Sequence, residues 1–391
     1  MFSRRTNWNL QPNRLSEALE RRRSSGREIL DLTASNPTQC GFAYDRRAIL
    51  AALAEEKALS YDPQPKGLPA AREAVSAYYA ARGDRVGVDD ILLTASTSEA
   101  YSFAFRALCD PGDELLIPAP SYPLFDFLAE IDDVRLVRYP LIYDHGWQTD
   151  FHALEHAITS RTRGIIVVHP NNPTGHFCSA AEASRLVGIC EARGIASIAD
   201  EVFWDFRHTR EPAPGVARPV SFAASSPALA LTMSGLSKIS GLPQMKAAWI
   251  VVSGPEEIKR KALGRLEVIA DTFLSVSAPV QHGLAALLNL RHDFQRQVLA
   301  RVSANLAELD RQVAQHPSCA RLEAEAGWYA VLRVPATRTD EELAVHLLES
   351  AGVYVHPGHF YDFPSPGYLV FSLIAPEAVF AEGLSRVLAL F

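Results

Sequence analysis

The residues best suited to covalent chemistry lie in Ser234-Gly-Leu-Ser-Lys-Ile-Ser-Gly-Leu-Pro-Gln-Met-Lys246-Ala-Ala-Trp249. Lys238 stands there between small residues, after the apolar run 228–233 and before the strand-like run 247–252. A lysine on such a turn directs its amine into a site. An amine that is desolvated, or set beside other cations, condenses with an aldehyde to a Schiff base. A lone Ser-Lys pair is ordinarily a solvated loop lysine, so this reading depends on what else the chain carries.

Four other stretches follow apolar runs in the same manner. Thr94-Ala-Ser-Thr-Ser-Glu99 opens a helical pattern, and the backbone N–H groups and hydroxyls of Ser96, Thr97 and Ser98 suit a phosphate at the positive helix end; an ordinary N-cap would use the same residues. Ala119-Pro-Ser-Tyr-Pro123 brings Tyr122 to a loop where its ring can stack on a flat ligand. In His169-Pro-Asn-Asn-Pro-Thr-Gly175 two prolines hold a turn while an Asn amide is offered to the site. Asp200-Glu201 ends the apolar run 195–199, where a buried acid is costly without a cationic partner. A protonated ring nitrogen is such a partner.

These stretches need a scaffold, and the pattern supplies one. Short apolar runs at 91–93, 114–117, 134–139, 164–168, 195–199, 228–232 and 247–252 alternate with helical patterns at 99–109, 122–131 and 180–193. Continuous apolar strands between helices predict a mostly parallel α/β sheet covered on both faces, with the ligand outside the carboxyl ends of its strands. Residues 255–315 read as helical, with Pro279 the main break. Strands are expected at 328–334, 353–355 and 368–373 and a closing helix at 377–390, which makes a smaller α+β domain. Residues 1–30 are a polar, basic arm with a helical stripe at Leu15, Ala18 and Leu19. The expected division is a large domain at 45–280 and a small domain at 1–44 plus 281–391.

A chain of 391 residues with 48% hydrophobic and 21% charged residues has the makeup of a soluble two-domain protein. The net charge of −7 gives no reason to expect nucleic acid, and no apolar run approaches a membrane span. The five cysteines lack C-x-x-C spacing and read as reduced, so no metal site is expected and the cytoplasm is the default location.

Together and in this order, the quoted motifs resemble the class I/II aminotransferases of the fold-type I pyridoxal-phosphate enzymes, over nearly the whole chain. The resemblance implies that Lys238 carries pyridoxal 5′-phosphate as an aldimine and shuttles a proton. It implies that Asp200 holds the ring nitrogen protonated, Asn172 donates to the ring oxygen and Tyr122 stacks on the ring. Thr97, Ser98, Ser237 and Lys246 would hold the phosphate, with Ser96 beside them. Tyr61, in the Pro-rich loop 61–67, matches a tyrosine that reaches the neighbouring subunit of a homodimer. The implied substrates are a small-molecule amino donor and a carbonyl acceptor.

Four positions depart from the family pattern. Phe203 replaces a tyrosine, Lys246 an arginine and Ser35 a glycine, while Val370 stands where the arginine for the substrate carboxylate is usual. From 339 to 385 there is neither Arg nor Lys, so no shift of register supplies one. His359, Arg333, Arg4 and Arg5 are the candidates to take over, with Arg333 expected on the strand face opposite Trp328. Transamination is the expected reaction. A lyase, racemase or decarboxylase on the same scaffold is the alternative, and a cofactor-sensing regulator is a further one.

Overall fold

The computed structural model describes residues 1–208 and 219–391. Eight strands form its central sheet: β1 Ile91–Thr94, β2 Glu114–Ala119, β3 Arg135–Tyr143, β4 Trp147–Thr149, β5 Thr162–Val168, β6 Ala196–Asp200, β7 Ala230–Gly235 and β8 Ala248–Ser253. Their spatial order is β1-β8-β7-β6-β5-β2-β3-β4. β7, β6, β5, β2 and β3 are parallel neighbours, whereas β8 runs against both β7 and β1, and β4 runs against β3. The two reversals at β8 restore β1 to the direction of β7. The carboxyl ends of β1, β2, β5, β6 and β7 therefore share one edge of the sheet.

The inner strands are buried along almost their whole length because helices cover both faces, which is why their sequences are continuous apolar runs rather than alternating ones. Four helices matter for the site: α1 Thr97–Leu108, α2 Phe125–Ile131, α3 Ala180–Arg193 and the single turn α4 Leu236–Ile239. α3 starts in a capping box between Ser179 and Glu182 and stops at Gly194 in the left-handed region. Trp249 on β8 is fully buried, and its indole N–H donates to the Tyr79 hydroxyl at 3.2 Å. Full burial of side chains of this size contributes about 1.5–3 kcal/mol each.

Several boundaries differ from expectation. The helix expected from Tyr122 begins at Phe125, since Pro123 pushes the residue before it out of helical backbone. The strand expected to end at 139 runs to Tyr143 and turns back through a tight reversal into β4, too short to register as a pattern. Pro279 does not break a helix; it sits in the first turn of Ala278–Asn289, where its missing N–H costs nothing. The break falls before it, after Leu274, which caps Glu256–Phe273 in the left-handed region.

A second sheet contains β9 Ala320–Arg321, β10 Tyr329–Arg333, β11 His356–Pro357 and β12 Tyr368–Ser372 in the order β9-β10-β12-β11, all antiparallel. The strand expected at 353–355 is split: Val353–Tyr354 pairs in parallel with Leu30–Asp31, and β11 joins the sheet. The arm helix Arg14–Ser24 buries Leu15, Ala18 and Leu19, the stripe read from the sequence. Ahead of it, Trp8 packs edge-on against Phe127 of α2 and donates to Glu130.

Candidate active site

Each strand end on the shared edge delivers side chains to one cavity. Thr97 and Ser98 follow β1, Tyr122 follows β2, Asn172 follows β5, Asp200 ends β6, and Ser237 and Lys238 follow β7; all of them line it. Ser35 and Tyr329 close the side nearest the second sheet. Sequence reasoning found most of this set but missed Tyr329, which lies beside the singled-out Trp328, and the apolar wall of Phe125, Val168 and Val202.

Lys238 is presented by α4 inside a connection of twelve residues between Gly235 and Ala248, which are themselves paired across β7 and β8. The Leu236 N–H closes this excursion on Ala247 O at 3.0 Å. Gly235 permits the approach, since a Cβ there would lie 2.9 Å from the Ala247 carbonyl oxygen. The ammonium stands over two rings, 4.8 Å from the Trp328 centroid and 5.4 Å from that of Phe203. Burial pulls the amine from 10.5 down to about 8, with the Asp200 charge working the other way.

Asp200 is tied through both oxygens. The Val202 N–H donates to Oδ1 at 3.0 Å and the Tyr101 hydroxyl to Oδ2 at 3.1 Å. Burial raises this carboxyl to about 6, opposed by those two hydrogen bonds and by Lys238. The two asparagines of the Pro-flanked turn divide their tasks. Asn171 Oδ1 accepts from Thr174 Oγ1 at 2.8 Å and so belongs to the turn, whereas Asn172 lines the cavity with a buried Oδ1 that has no partner. In the hydroxyl cluster, Ser96 Oγ accepts the Glu99 N–H at 3.1 Å as the N-cap of α1, which leaves Thr97, Ser98 and Ser237 to face the cavity.

The remaining candidate residues are divided between the cavity and its surroundings. Trp328 is fully buried beneath the lysine, with an indole N–H that has no partner. Phe203, at 4% exposure, lines the cavity and meets Trp328 edge-on at 5.3 Å. Lys246 is exposed, in left-handed backbone just before β8, and does not line the cavity. Tyr61 is 82% exposed and lines a different surface hollow, beside Leu274 and Ser275. His359 faces solvent with its ring against Phe360, while Val370 is 1% exposed, paired with Val331 and His356.

Arg333 lies at the surface, as expected, although the strand face differs from the one counted from Trp328. Trp328 precedes the strand, and Tyr329 is the β10 residue that lines the cavity, so by parity Arg333 shares the face of Tyr329 and Val370. Arg333 nevertheless ends the strand exposed, paired with Tyr368, outside the cavity lining. Arg5 is engaged with Asp133 at 3.6 Å, and Arg4 is exposed in the arm. None of the four takeover candidates lines the cavity.

The arrangement unites an amine that is partly free near neutral pH, a buried acid, an unpaired amide and hydroxyls at a helix start. Among the described residues no cluster of three or more His, Cys, Asp or Glu is placed to hold a metal ion, and no helix is long and apolar enough to cross a membrane.

An α/β sheet with this constellation at its strand ends defines a carbonyl-condensing enzyme of the aminotransferase fold. Alanine aminotransferase from Pyrococcus furiosus superposes with a TM-score of 0.89 at 22% identity, over 100% of this chain and 99% of that one. Alanine aminotransferase of Mycobacterium tuberculosis H37Rv is 30% identical over 360 residues, 88% of this chain and 81% of that protein. The glutamate-pyruvate aminotransferase AlaA of Escherichia coli K12 is 31% identical over 276 residues, 70% of this chain and 66% of that protein. The model of the aminotransferase class I and II family matches residues 27–378, and the chain belongs to that family. It is a pyridoxal-phosphate-dependent aminotransferase, an enzyme class whose substrates are small-molecule amino and keto acids. The cavity fits that group: an orphaned buried amide oxygen, a buried acid in want of a cation, a depressed amine and a helix-start cluster of hydroxyls are the donors and acceptors a charged pyridine aldehyde could use.

Proposed function

We propose that Lys238 is the residue to which pyridoxal phosphate is attached. When bound, that group supplies an aldehyde and an electron-withdrawing ring that lets the substrate α-carbon release a proton. The Lys238 amine, whose charge burial disfavours, would take that proton and return it. Asp200 would pair as a carboxylate with the ring nitrogen, Asn172 would donate to the ring oxygen through its amide N–H, and Tyr122 would supply a ring for stacking. Thr97, Ser98 and Ser237 would hold the phosphate, aided by the positive end of α1. The observation that carries this reading is the convergence of side chains from five strand ends on one amine.

For the substrates, we propose a small amino acid with a 2-oxo acid acceptor, the kind of pair for which the alanine and glutamate-pyruvate relatives are named. The substrate carboxylate is received by neutral hydroxyls, Ser35 and Tyr329 of the cavity lining, because Val370 is packed into the core and none of the basic candidates lines the cavity. The active unit is a homodimer in which Tyr61 reaches the neighbour's site; its exposure, and that of Leu59 beside it at 87%, support this. A cytoplasmic location is in keeping with the free cysteines.

The test is borohydride reduction of the loaded protein followed by peptide mapping. The label is expected on Lys238 and is lost in Lys238→Ala; a label on any other lysine would refute the assignment.

A further inference from the structure

We propose that Tyr101 is a positioning residue for the reaction, its hydroxyl holding the Asp200 carboxylate in the orientation in which it meets the ring nitrogen. The proposal rests on the reading that Asp200 faces that nitrogen. Its geometric basis is the hydrogen bond from the Tyr101 hydroxyl to Asp200 Oδ2 at 3.1 Å. Tyr101 is 3% exposed, and its ring is held edge-on to Phe125 at 4.9 Å and tilted against Phe105 at 5.9 Å. Phe125 lines the cavity. The phenol is thus fixed from two sides, and the carboxylate cannot turn away without leaving a buried hydroxyl unpaired.

Position on α1 explains why this residue acts with the hydroxyl cluster. Tyr101 follows Thr97 by four residues and Ser98 by three, so the three share one helix face within about 6 Å of axial rise. One rigid element thereby sets the spacing between the hydroxyls proposed for the phosphate and the acid proposed for the ring nitrogen.

The direction of the bond is also defined. Burial and the Asp200 charge both push the Tyr101 phenol well above its usual acidity range, so it keeps its proton and donates. A donor to the charged form favours ionised Asp200, against the burial that favours the neutral acid. The other groups facing this carboxyl are Lys238, the Tyr122 phenol and the Val202 N–H. Of these, the Tyr101 and Val202 donors are the hydrogen-bonded ones.

The experiment is Tyr101→Phe, which removes the hydroxyl and keeps the ring packing. In the cofactor-free protein, the Asp200 carboxyl is followed by carbon NMR across pH. Its midpoint is expected to rise by about one to two pH units. Affinity for pyridoxal phosphate, read by tryptophan fluorescence, is expected to fall about tenfold, whereas inhibition of that binding by inorganic phosphate keeps its midpoint. In an Asp200→Asn background the same replacement is expected to cause no further loss, a result that general loosening of the core would not produce. An unmoved Asp200 midpoint, or an equal affinity loss in both backgrounds, overturns the role of Tyr101. A midpoint that moves while affinity and the bound-cofactor spectrum stay constant overturns instead the placement of Asp200 at the ring nitrogen. If Tyr101→Phe does not fold, Tyr101→Leu carries the same cycle, and absence of coupling to Asp200 again refutes the proposal.

Discussion

Replacing Lys238 by methionine is expected to make the cofactor-free protein more stable, by an amount that depends on pH in a defined direction. The amine has an ordinary value of 10.5 and falls to about 8 in the folded chain because burial penalises its charge. At about 1.36 kcal/mol per pH unit, and discounted for the partial exposure of the side chain, the penalty is roughly 2 to 3 kcal/mol. Below pH 8 the amine is protonated in both folded and unfolded chains, and the penalty is present in full. Between 8 and 10.5 the unfolded chain binds the extra proton, so stability rises with pH and the penalty fades. Methionine has a similar length and no charge; titrating groups remote from position 238 cancel in the comparison, while Asp200 and Cys40, which lose the Lys238 charge, move upward. Urea unfolding of both apoproteins at pH 7, 9 and 10.5 is therefore expected to show Lys238→Met ahead by about 2 to 3 kcal/mol at pH 7, with the gap closing toward pH 10.5. A gap that stays constant over this range would show that the lysine is solvated, and would remove the physical basis for its nucleophilicity.

Further outcomes follow from the same site. Phe203→Tyr adds a hydrogen-bond donor beside the bound group, and the pH-dependent absorbance transition of the loaded enzyme is expected to move downward; no shift counts against the proposed ring-oxygen environment. Ser35→Ala combined with Tyr329→Phe is expected to lower kcat/KM for an amino acid about tenfold more than for its decarboxylated amine, while His359→Ala leaves that ratio unchanged; the opposite pattern would return the carboxylate to His359. Light scattering is expected to give a dimer at assay concentration, and Tyr61→Ala to weaken cofactor binding; a fully active monomer refutes the shared site.

Much of the site was legible because each contributing residue sits immediately after an apolar strand, where short loops carry recognisable residue types. Thr97, Tyr122, Asp200 and Lys238 were found on that basis, Asn172 was singled out from its turn by the family resemblance, and the sheet predicted from the alternating runs brings them to one cavity. Tyr101 escaped because it looks like one more aromatic on an amphipathic helix; only the packing of α1 against the end of β6 turns its hydroxyl toward Asp200. The division of labour between Asn171 and Asn172 was equally hidden, since it depends on which amide the turn itself consumes. Arg333 is exposed as expected, but the count of alternation started from Trp328, a residue that proves to lie outside the strand. Parity survives only inside regular backbone, and one residue of misplacement exchanges the faces.

The short excursion between β7 and β8 places the nucleophile on a different footing from its partners. Asp200 ends a parallel strand and Asn172 follows one, and the crossovers of such strands run over the surface and can absorb added or lost residues there. Lys238 leaves and re-enters the sheet through antiparallel neighbours within twelve residues, and Gly241 within that span, at φ +64°, has the Phe294 ring 2.4 Å from where a Cβ would stand. An extra residue between Leu236 and Leu242, where the span is buried or lines the cavity, displaces the amine, whereas one beside the exposed Gln244 and Lys246 can bulge into solvent. Length is therefore the least negotiable property of this segment: the crossovers can be re-routed with the chemistry kept, whereas one insertion around the lysine moves the amine itself.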